Sequence, residues 1–298
     1  MPGVKKQIVV VGLGLIGGSL AMALRGFEDY HVVGVARRRE AVDFARDHGI
    51  GDEVTMDAET AIRKADVVWL CMPPQPILDF MARYRDAFKP GALVTDVCGV
   101  KTAIVEGAKC LPSSVDFIGC HPMAGKEVSG IIHAEATLFR GAHFIMTPKD
   151  GNDPEHIALM ERMAAYMDFL DVVRTTPEEH DATIAYTSQM MHVIAASVCD
   201  APQFFDCKGF EGGSFQGCTR VASLDVPLWV QLFTMNRSAI CRVVEELEQN
   251  LRAYREAILA EDSTTLREKL TYSSERKKRM NLEGPPRGDE YRAETEGK

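Results

Sequence analysis

The stretch from Gln7 to Leu24, QIVVVGLGLIGGSLAMAL, constrains this chain more than any other. A short β-branched, apolar run over 8–11 leads without a break into Gly12-Leu13-Gly14-Leu15-Ile16-Gly17, and a helical repeat follows. Strand, glycine-rich turn and helix in that order predict the opening unit of a dinucleotide-binding fold. Gly12 permits the tight turn, Gly14 lets a pyrophosphate approach the backbone, and Gly17 lets helix and strand pack closely. The unpaired N–H groups and positive dipole end of a helix opening near Leu15 favour the phosphates. Gly12, Leu13, Gly14, Leu15, Ile16 and Gly17 are the expected cofactor-binding residues.

Strand and helix signals then alternate, with further strands expected over 31–36, 66–72, 92–95, 115–120, 143–147 and 171–174. The run DVVWLCM is apolar almost throughout, as a parallel strand covered on both faces must be. Alternation of this kind predicts an α/β fold with a doubly wound, mainly parallel sheet over 1–175. Ligands in such sheets gather at the C-terminal ends of the strands. The glycine-rich turn, 96–101 and 121–125 all fall there.

From Pro177 the strand signal stops. Helix is expected over 180–198, an irregular glycine-rich stretch over 202–219, and a long helix from 225, capped by Asp225 with Pro227 in its first turn. Along that helix Ile240, Val244, Leu247, Leu251, Tyr254 and Ile258 repeat at alternating spacings of four and three. Such a narrow apolar seam suits a second helix, and a homodimer is expected. The second domain is therefore all-helical over 176–272, and the polar segment 273–298 is expected to be a disordered tail.

The second strand ends at Ala36, followed by Arg37, Arg38 and Arg39. An acidic residue there would accept the ribose hydroxyl of NAD, whereas guanidinium groups suit the extra phosphate of NADP. NADP is therefore expected over NAD, with Arg37 and Arg38 as its contacts. At 298 residues the chain suits two domains, and 34 Lys+Arg against 43 Asp+Glu gives a net charge of −9. That balance offers no basic footprint for nucleic acid. No apolar run approaches a bilayer span and no leader pattern opens the chain, so no membrane partner and a cytoplasmic location are expected. The eight cysteines form no CxxC pair and read as free thiols, and no spacing suggests a metal.

His121 stands at a strand end, pinned by Pro122, with Gly125 close behind. A histidine there can hold a substrate hydroxyl and take its proton as hydride leaves the same carbon. Lys101, Arg220 and His192 are the other catalytic candidates, and Arg220 can clamp a carboxylate in a bidentate fork. His180 and Asp181 read as a helix cap. Met190, Met191 and Met235 read as core filler.

GLGLIGGSL at 12–20, DVCGVK at 96–101, CHPMAGKEVSG at 120–130, EEHD at 178–181, GGSF and TRVA within 212–222, and the 229–236 segment occur in this order. With them the chain resembles the prephenate dehydrogenase family of tyrosine biosynthesis, some members of which act on arogenate. The resemblance implies a Rossmann-like domain followed by a helical dimerisation domain, and oxidative decarboxylation of a small cyclohexadienyl substrate. It implies that His121 hydrogen-bonds the ring hydroxyl, that Arg220 binds a substrate carboxylate, and that His192 and Glu127 line the site. Two further substrate-side positions depart from the family pattern. Gly99 stands where a serine is common, with Cys98 or a water as a substitute for the missing hydroxyl, and Gln189 stands where a histidine is common. Arogenate in place of prephenate, or another two-domain dehydrogenase of the β-hydroxy-acid type, are the alternatives.

Overall fold

The computed structural model describes residues 5–283. These form one eight-stranded sheet from β1 (Lys6–Val11), β2 (Tyr30–Val35), β3 (Glu53–Thr55), β4 (Val67–Leu70), β5 (Leu93–Asp96), β6 (Asp116–Pro122), β7 (His143–Thr147) and β8 (Asp171–Arg174). Its order is β3-β2-β1-β4-β5-β6-β7-β8. Every neighbouring pair is parallel except β6 and β7, which run antiparallel with His121 opposite Ile145. The sheet is thus doubly wound and mainly parallel, and its order reverses between β1 and β4, which opens a crevice at their C-terminal ends.

The helices of this part are α1 (Leu15–Ala23), α2 (Arg39–Asp47), α3 (Ala58–Ile62), α4 (Pro74–Tyr84), α5 (Thr102–Gly107) and α6 (Pro154–Tyr166). Successive side chains of a strand point to opposite faces. Ile8 and Val10 accordingly join Trp69, Ile118, Leu159 and Met163 on one face, while Val9 and Val11 join Val68, Ile77, Met81 and Ile104 on the other. Two apolar layers bury the sheet, and the polar C-terminal edge is what remains for a ligand.

The all-helical region contains α7 (Pro177–Ile184), α8 (Met190–Cys199), α9 (Gly213–Thr219), α10 (Val226–Met235), α11 (Arg237–Leu259) and α12 (Ser263–Glu283). A π turn over Ala185–Gln189 joins α7 to α8. Packing groups the chain differently from the change in secondary structure at 175/176: one compact unit runs to Asn236 and a second begins at Arg237. The reason is α10, whose Leu232 belongs to one of the two sheet cores, with Leu228, Trp229 and Met235 against it.

The long helix expected from 225 is interrupted at Asn236. The buried Asn236 side chain donates to the Asp181 carbonyl at 2.8 Å and to Gln189 Oε1 at 2.7 Å. Those bonds fix the residue in a tertiary site that no helical period reveals. Residues 273–283, expected as disordered tail, continue α12, and the rest of that expectation lies outside the described residues. No described helix is long and apolar enough to cross a membrane.

At the N-terminal edge of the sheet, Asp116 gathers the start of α6. It accepts from Asp153 N at 3.0 Å, from the His156 ring at 3.0 Å and from the Asn152 amide, which also donates to the Phe117 carbonyl at 3.0 Å. The hydrogen bond to Asp116 raises the His156 pKa against the effect of burial. Burial alone would raise Asp116, but His156 and Asn152 overcome it and hold its carboxyl below the usual carboxylate range. A raised histidine stabilises below its unfolded pKa and loses that effect as pH rises through the folded value, whereas a depressed carboxylate loses it as pH falls. Replacing His156 by Ala is therefore expected to cost about 1.5 kcal/mol near pH 5.5 and clearly less at pH 8.5, read from urea unfolding at both pH values.

Candidate active site at the strand ends

β1 ends in a turn that only glycine fits. Gly12 has φ +98°, and a Cβ there would strike the Cys71 carbonyl, while one on Gly17 would strike the Gly12 carbonyl. A Cβ on Gly14 would meet nothing within 4 Å, so this backbone faces open space. Gly14 precedes α1 and supplies no side-chain cap, which leaves the first N–H groups of that helix directed outward. An open glycine beside an uncapped helix start fits the pyrophosphate of a dinucleotide. Gly12 to Gly17 would hold it.

At the end of β2, Ala36 is buried and Arg37 and Arg38 are exposed, and neither arginine forms an ion pair among the described residues. Arg39 is committed to Asp43 at 3.0 Å. Two guanidinium groups therefore remain available at the edge where an adenosine ribose would lie.

The next layer is held by a buried ion pair. Lys101 is fully buried, with its Nζ on Asp96 Oδ2 and donating to the Cys120 carbonyl at 2.7 Å. Asp96 also accepts from Cys98 N at 2.8 Å and from Cys120 N at 3.1 Å. The lysine stem runs past Gly119, where a Cβ would come within 3.2 Å of Lys101 Cδ and 2.7 Å of Thr147 Oγ1. Lys101, expected among the catalytic groups, thus points into the protein and acts on the positions of β5 and β6, one residue before His121.

His121 is partly exposed, and its Nδ1 lies 2.9 Å from His180 Nε2. His180 Nδ1 in turn lies 2.8 Å from Asp181 Oδ1. The same carboxylate accepts from Lys101 N at 2.7 Å and Thr102 N at 2.9 Å. Burial first, then the charges of His180 and Lys101, hold the His121 pKa well below the ordinary histidine value, with Asp181 opposing them. Burial also lowers His180 despite its bond to Asp181. Burial would raise Asp181, but the bonds from His180, Thr102 and Lys101 keep it below the usual carboxylate range.

His180 and Asp181 are therefore not the helix cap expected of them. Thr176 caps α7, its hydroxyl accepting from Glu179 N at 3.1 Å while the Glu179 carboxylate accepts from Thr176 N at 3.3 Å. The T-x-x-E spacing of Thr176 and Glu179 is a capping box legible in the sequence, and it frees His180 and Asp181 for another role.

The other candidates spread around this centre. A Cβ at Gly99 would sit 3.7 Å from His121 Cε1 and 3.8 Å from Nε2, so position 99 borders the imidazole edge that faces away from His180. Cys98 does not replace a hydroxyl there: its thiol lies 4.0 Å from the Met72 carbonyl, and burial pushes its pKa up to about 12. Arg220 pairs with Glu127, which joins the turn after α9 to the loop after β6. His192 donates from Nδ1 to the Ser188 carbonyl at 2.9 Å and lies on the Trp229 ring at 3.7 Å, with no hydrogen bond to His121. Gln189 is buried, accepts from Asn236 and has no partner for its Nε2. Among the described residues no three His, Cys, Asp or Glu side chains gather as metal ligands.

Residues 20–168 match the family model described as prephenate dehydrogenase, nucleotide-binding domain, and residues 176–272 match prephenate dehydrogenase, dimerization domain. The chain belongs to the prephenate dehydrogenase family. A cyclohexadienyl dehydrogenase of Zymomonas mobilis is 31% identical over 273 residues, covering 88% of this chain and 92% of the relative. The structure of Synechocystis arogenate dehydrogenase is 30% identical with a TM-score of 0.79, covering 92% of this chain and 99% of that one. Prephenate dehydrogenase from Aquifex aeolicus, solved with hydroxyphenyl propionate and NAD+, is 28% identical with a TM-score of 0.82, covering 95% and 100%. This chain is accordingly an NAD(P)-linked oxidoreductase of the prephenate, arogenate and cyclohexadienyl dehydrogenase group.

Within this family frame the Lys101–Asp96 pair has a measurable weight. Losing the ammonium alone would strand Asp96 as a buried charge, so Lys101→Met is expected to cost about 3–5 kcal/mol in urea unfolding. Adding Asp96→Asn to the same chain should recover part of that loss. A single variant that unfolds at the wild-type midpoint would show that the pair does not carry this weight.

Proposed function

We propose that the enzyme oxidatively decarboxylates prephenate to 4-hydroxyphenylpyruvate in tyrosine biosynthesis, with His121 as the base and NADP+ preferred over NAD+. The observation that carries this reading is His121 at the C-terminal end of β6, its Nδ1 occupied by His180 and its Nε2 edge beside Gly99. A neutral Nε2 in that position can accept the proton of a ring hydroxyl. Bound nicotinamide supplies the hydride acceptor. Arg220 holds a substrate carboxylate in exchange for Glu127, an exchange favoured by the exposure of that ion pair, which makes it weak. His192 and Glu127 border the substrate, while Lys101 and Gln189 contribute from within the protein.

The cofactor preference rests on Arg37 and Arg38, which are unpaired among the described residues, and on Ala36 where an acid would repel a phosphate. The division into a nucleotide-binding domain over 1–175 and a helical domain over 176–272 follows the same reading. A homodimer is proposed from the dimerization-domain match and from Leu251 and Ile258, which are 59% and 61% exposed in the second unit. Arogenate is the second substrate reading, supported by the Synechocystis relative and by Glu127, a carboxylate able to meet an amino side chain.

Initial rates with prephenate and with arogenate, each with NADP+ and NAD+, test these points together. Prephenate with NADP+ is expected to give the highest kcat/KM, and a higher value on arogenate would reverse the substrate order. Arg37→Ala combined with Arg38→Ala is expected to raise the KM for NADP+ about tenfold or more, the loss of about 1.4 kcal/mol or more of phosphate binding, and to leave NAD+ nearly unchanged. The depressed His121 pKa gives a sign for pH dependence: the base stays neutral below the ordinary histidine value, so the acid limb of kcat/KM should fall below about pH 6.5. A limb at or above that value would count against His121 as the base.

A further inference from the structure

We propose that Asp181 and His180 set the tautomer of His121 through a two-histidine relay, so that the lone pair needed for catalysis always stands on Nε2. The inference rests on the reading of His121 as the base and assigns the groups that make it one. A carboxylate can only accept, so the 2.8 Å bond to Asp181 fixes the proton of neutral His180 on Nδ1. His180 Nε2 is then the acceptor of the 2.9 Å bond, which fixes the proton of His121 on Nδ1. His121 Nε2 is left without a proton, on the edge that borders Gly99.

Each link is held from outside the pair. Asp181 is anchored by Lys101 N and Thr102 N, and His180 is 1% exposed, so water does not compete for its Nε2. When His121 takes a proton at Nε2, the imidazolium donates from Nδ1 to His180, and its charge is drawn toward the Asp181 carboxylate two bonds away. The other charged groups facing the pair are Lys101 and Asp96, which form an ion pair with each other. Asp181 is thus the unmatched charge that stabilises the cation. His180 and Asp181 touch no substrate in this scheme and are positioning residues.

The test compares two replacements of His180 and reads the tautomer directly. The amide introduced by His180→Gln keeps an acceptor near the former Nε2, whereas His180→Phe keeps the ring volume and removes the acceptor. The relay predicts that His180→Gln stays within about tenfold of wild-type kcat/KM and that His180→Phe falls about 100-fold, with KM for the substrate and Kd for NADP+ unchanged in both. A role in packing alone predicts the opposite order, and that order would overturn the proposal. Independently of turnover, 15N NMR of histidine-labelled enzyme, with His121 assigned by its loss in His121→Asn, should show a protonated Nδ1 and an unprotonated Nε2. In Asp181→Asn the His121 signals should move toward the opposite tautomer. A wild-type His121 protonated on Nε2 would also overturn the proposal. Failure of the wild-type enzyme to turn over either cyclohexadienyl substrate would sink the functional reading, while the NMR result would still decide the relay.

Discussion

One carboxylate holds the working parts of this molecule in register. Asp181 accepts from two consecutive backbone N–H groups at the start of α5 and from the imidazole of its own neighbour, and so ties the first helix after the sheet to the strand ends. A buried charge is tolerated only when its lone pairs are met, and three donors meet these. The segment it grips is also the one whose lysine side chain turns inward to Asp96 and the Cys120 carbonyl. The backbone of Lys101 thus faces α7 while its ammonium fixes β5 against β6. His121 sits where the two constraints meet.

The sheet and the helices after it consequently divide the labour unevenly. The C-terminal edge brings together the glycine turn of β1, the Arg37–Arg38 corner of β2, the Gly99 turn of β5 and the His121 end of β6 by topology alone. α7, the π turn and α10 then close the layer above, with Asn236 bridging the Asp181 carbonyl and Gln189. A π turn leaves one residue extra in the helical ladder, a device often found at functional sites. Here it falls between the helix that carries His180 and the one that carries His192.

What can be read from the sequence is what local physics determines. The glycine turn is legible because its geometry is fixed within six residues, and Gly12 and Gly17 indeed admit no side chain. The central strands are legible because burial on both faces demands continuous apolar runs. The antiparallel entry of β7 is not, since strand direction leaves no mark on composition, and β3, at three residues, is too short to show a period. The break at Asn236 depends on partners 47 and 55 residues away. His180 escapes a sequence reading because a polar residue near a helix start can serve as a cap or as part of a site, and only its neighbours across the fold distinguish the two.

The thiols near the site are chemically quiet. Burial pushes Cys98 and Cys120 up to about 12 and raises Cys71 well above its usual value, so at neutral pH these sulfurs carry almost no thiolate. Oxidants and electrophiles attack thiolate, not thiol. The exposed cysteines, Cys218 and Cys241, belong to α9 and α11 and not to the strand ends. At neutral pH the nucleotide-binding edge therefore offers an electrophile little thiolate at Cys71, Cys98 or Cys120, and its chemistry does not run through a reactive sulfur.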